Sequence, residues 1–179
     1  MADEKKEPWL NYLALATVIL AVCATLSTFK GGGFSTRSVL SQTQASDQWA
    51  YYQAKSIKGY LYELQKDKLE LELKSMGPKA PGSVVEEYQK KIDFYAKSIK
   101  RYNEEKAQIE KDAKKFETIK EESVKHSQAF GEAVIFLQIS ILLSSIAALM
   151  KKKSVWYLGL VTGAVGVVYF VNGFWLFIK

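Results

Sequence analysis

The chain has 179 residues, 25 Lys and Arg against 19 Asp and Glu, one Cys, one His and three Pro, and 48% of it is apolar. That is room for one modest domain. The single Cys23 excludes a disulfide framework, and with His126 as the one imidazole there is almost nothing from which to build a zinc site or a Cys/His nucleophile pair. A mean hydropathy of −0.09 averages strongly apolar runs with one charged block. That block, residues 38–125, holds 17 basic and 15 acidic side chains, so the pI of about 9.2 is no nucleic-acid footprint.

After a short tail, residues 1–8, the stretch 9–29 carries no ionised side chain over 21 residues. At ~1.5 Å per residue it covers the ~30 Å hydrocarbon core of a bilayer, and it reads as a first membrane helix. It is too long for a cleaved signal and lacks a small-x-small cleavage site. Leu20-Ala21-Val22-Cys23 resembles a lipobox, but Val22 stands where such boxes need a small residue. Residues 30–37 follow, with Gly31, Gly32 and Gly33 in succession. Three glycines carry a large entropic cost in any helix, so this segment reads as a hinge. A backbone nest for a lipid phosphate, flanked by Lys30 and Arg37, is the lesser reading.

The charged block reads as two helical arms. In the first, residues 38–76, Ala50, Ala54, Ile57, Leu61, Leu64, Lys68 and Leu71 alternate steps of four and three, a heptad seam interrupted once. Residues 77–82 hold two prolines and two glycines and must turn the chain. Ser83 with Glu86 forms a capping box for the second arm, residues 83–128. Its seam runs Val85, Tyr88, Ile92, Tyr95, Ile99, Tyr102, Lys106, Ile109, Ala113, Phe116. Folded about the turn, Leu71 would face Tyr88, Leu64 Tyr95, Ile57 Tyr102 and Ala50 Ile109, and the arms would project ~60 Å from the membrane.

Residues 129–150 form a second apolar span and residues 155–178 a third, joined by the basic loop 151–154. A link that short permits only an antiparallel pair. By the positive-inside rule Lys151, Lys152 and Lys153 place their loop, and with it the N-terminus, on the cytoplasmic side and the hairpin outside, although Lys30 and Arg37 oppose this. Gly159, Gly163, Gly166 and Gly173 make a close-packing stripe on the third span. Ala14, Thr17, Ala21, Ala24 and Thr28 make a similar one on the first.

The string Gln48-Trp49-Ala50-Tyr51-Tyr52-Gln53-Ala54-Lys55, with the glycine break and the two C-terminal spans, resembles a bacterial family of small three-span membrane proteins described only as a domain of unknown function. The resemblance implies the architecture and a bacterial inner-membrane location, and adds nothing to mechanism.

With Ala50, Ala54 and Ile57 assigned to the seam, Trp49, Tyr51 and Tyr52 must lie on flanks or outward faces, and exposed aromatics together are interface candidates. Within the membrane the polar groups are Glu132 at the boundary, Gln138 and Asn172. No Walker loop, Rossmann fingerprint, nucleophile elbow or metal-ligand spacing is present, and His126 reads as an exposed helical residue. The fold class expected is therefore an all-α membrane protein, three transmembrane helices plus a long antiparallel coiled-coil hairpin, with no catalytic, cofactor or metal site. The function expected is a homo-oligomeric scaffold without enzymatic activity. A conductance-regulating channel lined by Gln138, or an accessory subunit docking on another membrane protein, are the alternatives.

Overall fold

A computed structural model describes residues 8–77 and 81–178; the tail with Lys5 and Lys6, residues 78–80 of the expected turn, and Lys179 lie outside the described residues. Among the described residues there is no strand, and the elements are α1 (Pro8–Met76), α2 (Gly82–Met150) and α3 (Lys153–Trp175). All three are long and apolar enough to cross a membrane. Two compact units are distinguished, an apolar one comprising the described residues up to Leu40 and from Ile119, and a charged one, Ser41–Thr118.

The expected hinge is not a break: α1 is helical through Gly31, Gly32 and Gly33. Only Gly31 sits on the buried face, where a Cβ would lie 3.1 Å from the Phe130 Cβ, and its carbonyl accepts a hydrogen bond from Ser127 Oγ at 3.1 Å. A Cβ at Gly32 or Gly33 would meet nothing. The helical propensity penalty of the triplet is offset by the close contact with α2 that its first member allows. The helical backbone also provides no phosphate nest, since nests need successive residues of opposite handedness.

The helix ends are set by backbone chemistry. α1 stops where Gly77 takes a φ of +63°, the left-handed conformation that glycine adopts at little cost. α2 begins two residues earlier than a box capped by Ser83 implies: Gly82 is its first residue, and the Pro81 carbonyl accepts from the amides of Val84 and Val85. Lys151 at φ 52° turns the chain between α2 and α3, its amide bonded to the Ala148 carbonyl. α3 occupies less of the third span than expected and ends at Trp175, because Asn172 draws the chain back: its Oδ1 accepts from the Ile178 amide at 2.7 Å.

In the apolar unit the glycine stripe of α3 packs on α2. Gly159 faces Ser140 and Ser144, Gly166 faces Leu137, and Gly173 faces the Phe130 ring, with Ser140 Oγ donating to the Gly159 carbonyl at 2.6 Å. Against this pair α1 sets Leu20 and Ala24, in one cluster with Ala133 and Leu137, and Trp9 and Leu13, in another with Ala147. The expected small-residue stripe of α1 is thus only half used: Ala24 and Thr17 turn inward, whereas Ala14, Ala21 and Thr28 are exposed. Trp9 and Trp156 meet at 5.8 Å beside Lys153, an arrangement typical of a membrane–water boundary.

These contacts separate the glycines by role. Gly166→Ala should lower thermal stability in detergent by about 1–3 kcal/mol, because the new methyl meets the Leu137 backbone nitrogen at 2.9 Å. Gly33→Ala should leave it unchanged or raise it by up to about 1 kcal/mol, as a glycine in an open helical position gains propensity on substitution. Circular dichroism melts of the two variants check both signs.

Candidate functional site

The charged unit is held by pairing of α1 with α2, and the face that α1 uses is the opposite of the one its aliphatic spacing predicts. The positions turned inward are Ala45, Gln48, Tyr52, Lys55, Gly59, Tyr62, Lys66 and Leu69, again alternating steps of three and four but two residues out of phase with the Ala50–Leu71 seam. At ~100° per residue, two positions amount to slightly more than half a turn. On α2 the expected seam is the one used: Ile92, Tyr102, Ile109 and Ala113 are buried.

Size and chemistry explain the rotation. Tyr62 lies 5.6 Å from Tyr95 and stacks on Tyr102 at 5.5 Å, and such rings bury more area than the leucines they displace. Gly59 brings the backbone of α1 against Tyr102, where its Cβ would be 3.9 Å from the tyrosine Cβ. The polar tips find partners as well. Trp49 Nε1 donates to Glu117 Oε1 at 2.8 Å, Lys55 Nζ donates to Glu105 Oε2 at 2.6 Å, and Tyr88 donates to Glu72 at 3.1 Å. Lys55 and Arg101 also lie over the Tyr102 ring, at 5.3 and 5.2 Å, and Lys106 over Tyr52 at 5.9 Å. The hydrogen bond to Glu105 holds the Lys55 ammonium above the ordinary lysine range, and the same bond holds the Glu105 carboxyl below the usual carboxylate range.

The three interface candidates differ in exposure. Trp49 and Tyr52 are half-buried between the helices and touch edge to face at 5.6 Å; Tyr51 alone of the three is exposed. What faces outward is the aliphatic seam: Ile57, Leu61, Leu64 and Leu71 are 61%, 56%, 63% and 69% exposed. An apolar stripe interrupted only by Lys68, on a helix otherwise rich in charge, is the feature of this unit that intramolecular packing leaves unaccounted for.

The polar groups of the apolar unit divide by role. Asn172 is buried and caps the end of α3, so its place is structural. His126 is half-buried rather than exposed; it stacks on Phe34 at 4.5 Å, and its Nδ1 bonds the Gly173 carbonyl at 2.8 Å, one of the carbonyls that the end of α3 leaves without a helical partner. Glu132 is exposed and lines a crevice of about 590 Å³ with Lys125, Tyr169 and Asn172. Gln138, well inside the second span, is exposed on the outer surface of the unit. The described residues contain no group of His, Cys, Asp and Glu able to hold a metal ion.

Three helices, each long and apolar enough to cross a membrane, fit the class of multi-pass membrane proteins. Within that class the chain belongs to the family described as a domain of unknown function (DUF4337), whose model matches residues 9–176. Comparison with curated proteins and with solved structures found no match.

The inward placement of Trp49 makes it a stability residue. Trp49→Phe should cost about 1 kcal/mol through loss of the bond to Glu117, and a double-mutant cycle with Glu117→Ala should show that the two substitutions are not additive. The Lys55–Glu105 pair predicts a pH dependence. Since the folded carboxyl lies below its ordinary 4.5, the stability it contributes is present above that value and lost as pH falls through the folded one. Since the folded ammonium lies above its ordinary 10.5, the alkaline loss comes only as pH rises past the folded value. Acid titration of unfolding should therefore be shallower in Glu105→Gln.

Proposed function

We propose that this protein is a non-enzymatic, homo-oligomeric scaffold of a bacterial cytoplasmic membrane, anchored by three spans and displaying a helical hairpin whose outer face joins neighbouring copies. In this reading the loop with Lys151, Lys152 and Lys153 lies on the cytoplasmic side and the hairpin outside. The observation that carries it is the aliphatic stripe of Ile57, Leu61, Leu64 and Leu71, left in contact with water although α1 already spends its other face on α2. Leaving such a stripe exposed costs hydrophobic free energy that association recovers.

A second reading has one observation of its own. Gln138 presents an amide at membrane depth on the outer surface of the apolar unit, and a polar side chain there is stabilised by a neighbouring helix or by water. An oligomer that gathers Gln138 from several copies would line a conducting path. The stripe lies in the charged unit and has no part in such a pore, so the scaffold reading takes precedence.

Native mass spectrometry of the protein extracted directly into lipid nanodiscs tests the proposal. A single homo-oligomeric mass is the expected result. A monomer, or a monomer accompanied by a different polypeptide, contradicts it and makes the hairpin a docking arm. If bilayer recordings of the reconstituted protein show a conductance that Gln138→Leu abolishes, the channel reading replaces the scaffold.

A further inference from the structure

The stripe repeats at the spacing of a helix that meets a helix. Counting Ile57, Leu64 and Leu71 as one set of layers and Ala54, Leu61 and Lys68 as the other, the steps of three and four follow the two core positions of a heptad, with β-branched and leucine side chains on the first set and a single lysine on the second. We propose that the occupant of this stripe is the same stripe of a second copy, packed parallel and in register, with Lys68 of each copy beside Asp67 of the other. This rests on the homo-oligomeric reading above and names the geometry of its contact.

Two arguments select this occupant. In a parallel two-fold pair each residue of the stripe lies opposite itself. Identical layers then form: Ala54 on Ala54, Ile57 on Ile57, Leu61 on Leu61, Leu64 on Leu64. The one charged layer is compensated in that arrangement. A lysine at the second core position lies next to the residue just before its counterpart on the partner helix, here the exposed Asp67, so two equivalent Lys68–Asp67 pairs flank the layer. Within its own chain Lys68 has only the long 3.9 Å contact with Glu72 and remains 66% exposed. A single lysine in an otherwise apolar seam fixes register at a cost in stability. The size is adequate too: with Ala50, Ala54 and Tyr60 the four large aliphatics expose on the order of 700 Å² per copy, close to the ~800 Å² per partner of a standard interface.

Cysteine cross-linking of the full-length protein in its own membranes, on a Cys23→Ser background, tests the geometry. Ile57→Cys and Leu64→Cys should each form a disulfide-linked dimer on mild oxidation, whereas Lys66→Cys, on the face turned to α2, should not. Lys68→Glu should reduce the Leu64→Cys dimer by about tenfold, since it sets two carboxylates side by side in each pair. Adding Asp67→Lys to that variant should restore the dimer to near its original yield. Rescue by the reversed pair is a result that mere structural damage would not give. An oligomer of unchanged native mass whose Ile57→Cys and Leu64→Cys positions fail to cross-link overturns the parallel contact while leaving the scaffold reading standing. A monomeric native mass, or cross-links from Leu64→Cys to a different polypeptide, overturns both.

Discussion

The structure depends on how closely α1 can approach α2. The positions of α1 that become buried keep one heptad phase from Leu13 through Gly31 and Ala45 to Gly59 and Leu69, and the buried positions of α2 keep another from Ile92 through Tyr102 and Ala113 to Phe130 and Ser144. Seam positions on α1 are small at intervals, Ala24, Ser27, Gly31, Ser41, Ala45 and Gly59, and at the two glycines large side chains of α2 occupy the space they leave. Phe130 fits over Gly31, and Tyr102 fits over Gly59. A seam of alternating small and large residues packs at organic-crystal density only in one phase, which is why neither the glycine triplet nor the more aliphatic side of α1 redirects it.

That constraint has a different chemistry in each unit. In the apolar unit the environment offers no hydrophobic drive between helices, so association comes from close packing and from hydroxyls that reach neighbouring carbonyls, as Ser140 does to Gly159 and Ser127 to Gly31. In the charged unit water surrounds the pair, and the aromatic rings of Trp49, Tyr62, Tyr95 and Tyr102 bury the area while Lys55 and Arg101 lie over the Tyr102 ring. Choosing the aromatic side satisfies Trp49 and Lys55 inside the molecule and sends Ile57, Leu61, Leu64 and Leu71 outward. The outward stripe is thus a consequence of the fold.

Much of this was legible in the residues. The three apolar runs announce themselves by length, the turn after Met76 by its glycine and prolines, and the packing role of Gly159, Gly163, Gly166 and Gly173 by spacing. The face of α1 was not legible, because two heptad stripes coexist on residues 45–73 and an aliphatic count favours the wrong one. Gly59 was the available signal: a glycine inside a helical pattern marks a close backbone approach, and it belongs to the aromatic stripe. The continuity of α1 across Gly31 is tertiary in origin, since helical propensity alone argues for a break there. His126 could not have been assigned to the end of α3 from spacing, as the two are 47 residues apart.

The central claim is that α1 turns its aromatic face to α2 and its aliphatic face away. Its most direct test is an intramolecular disulfide on a Cys23→Ser background. A Cβ at Gly59 would lie 3.9 Å from that of Tyr102, close to the ~3.8 Å mean of natural disulfides, so Gly59→Cys with Tyr102→Cys should oxidise readily within one chain. Ile57→Cys with Tyr102→Cys, the pairing that the aliphatic seam would require, should not. Closure of the second pair in place of the first would show that the helix is rotated the other way and that the outward stripe does not exist.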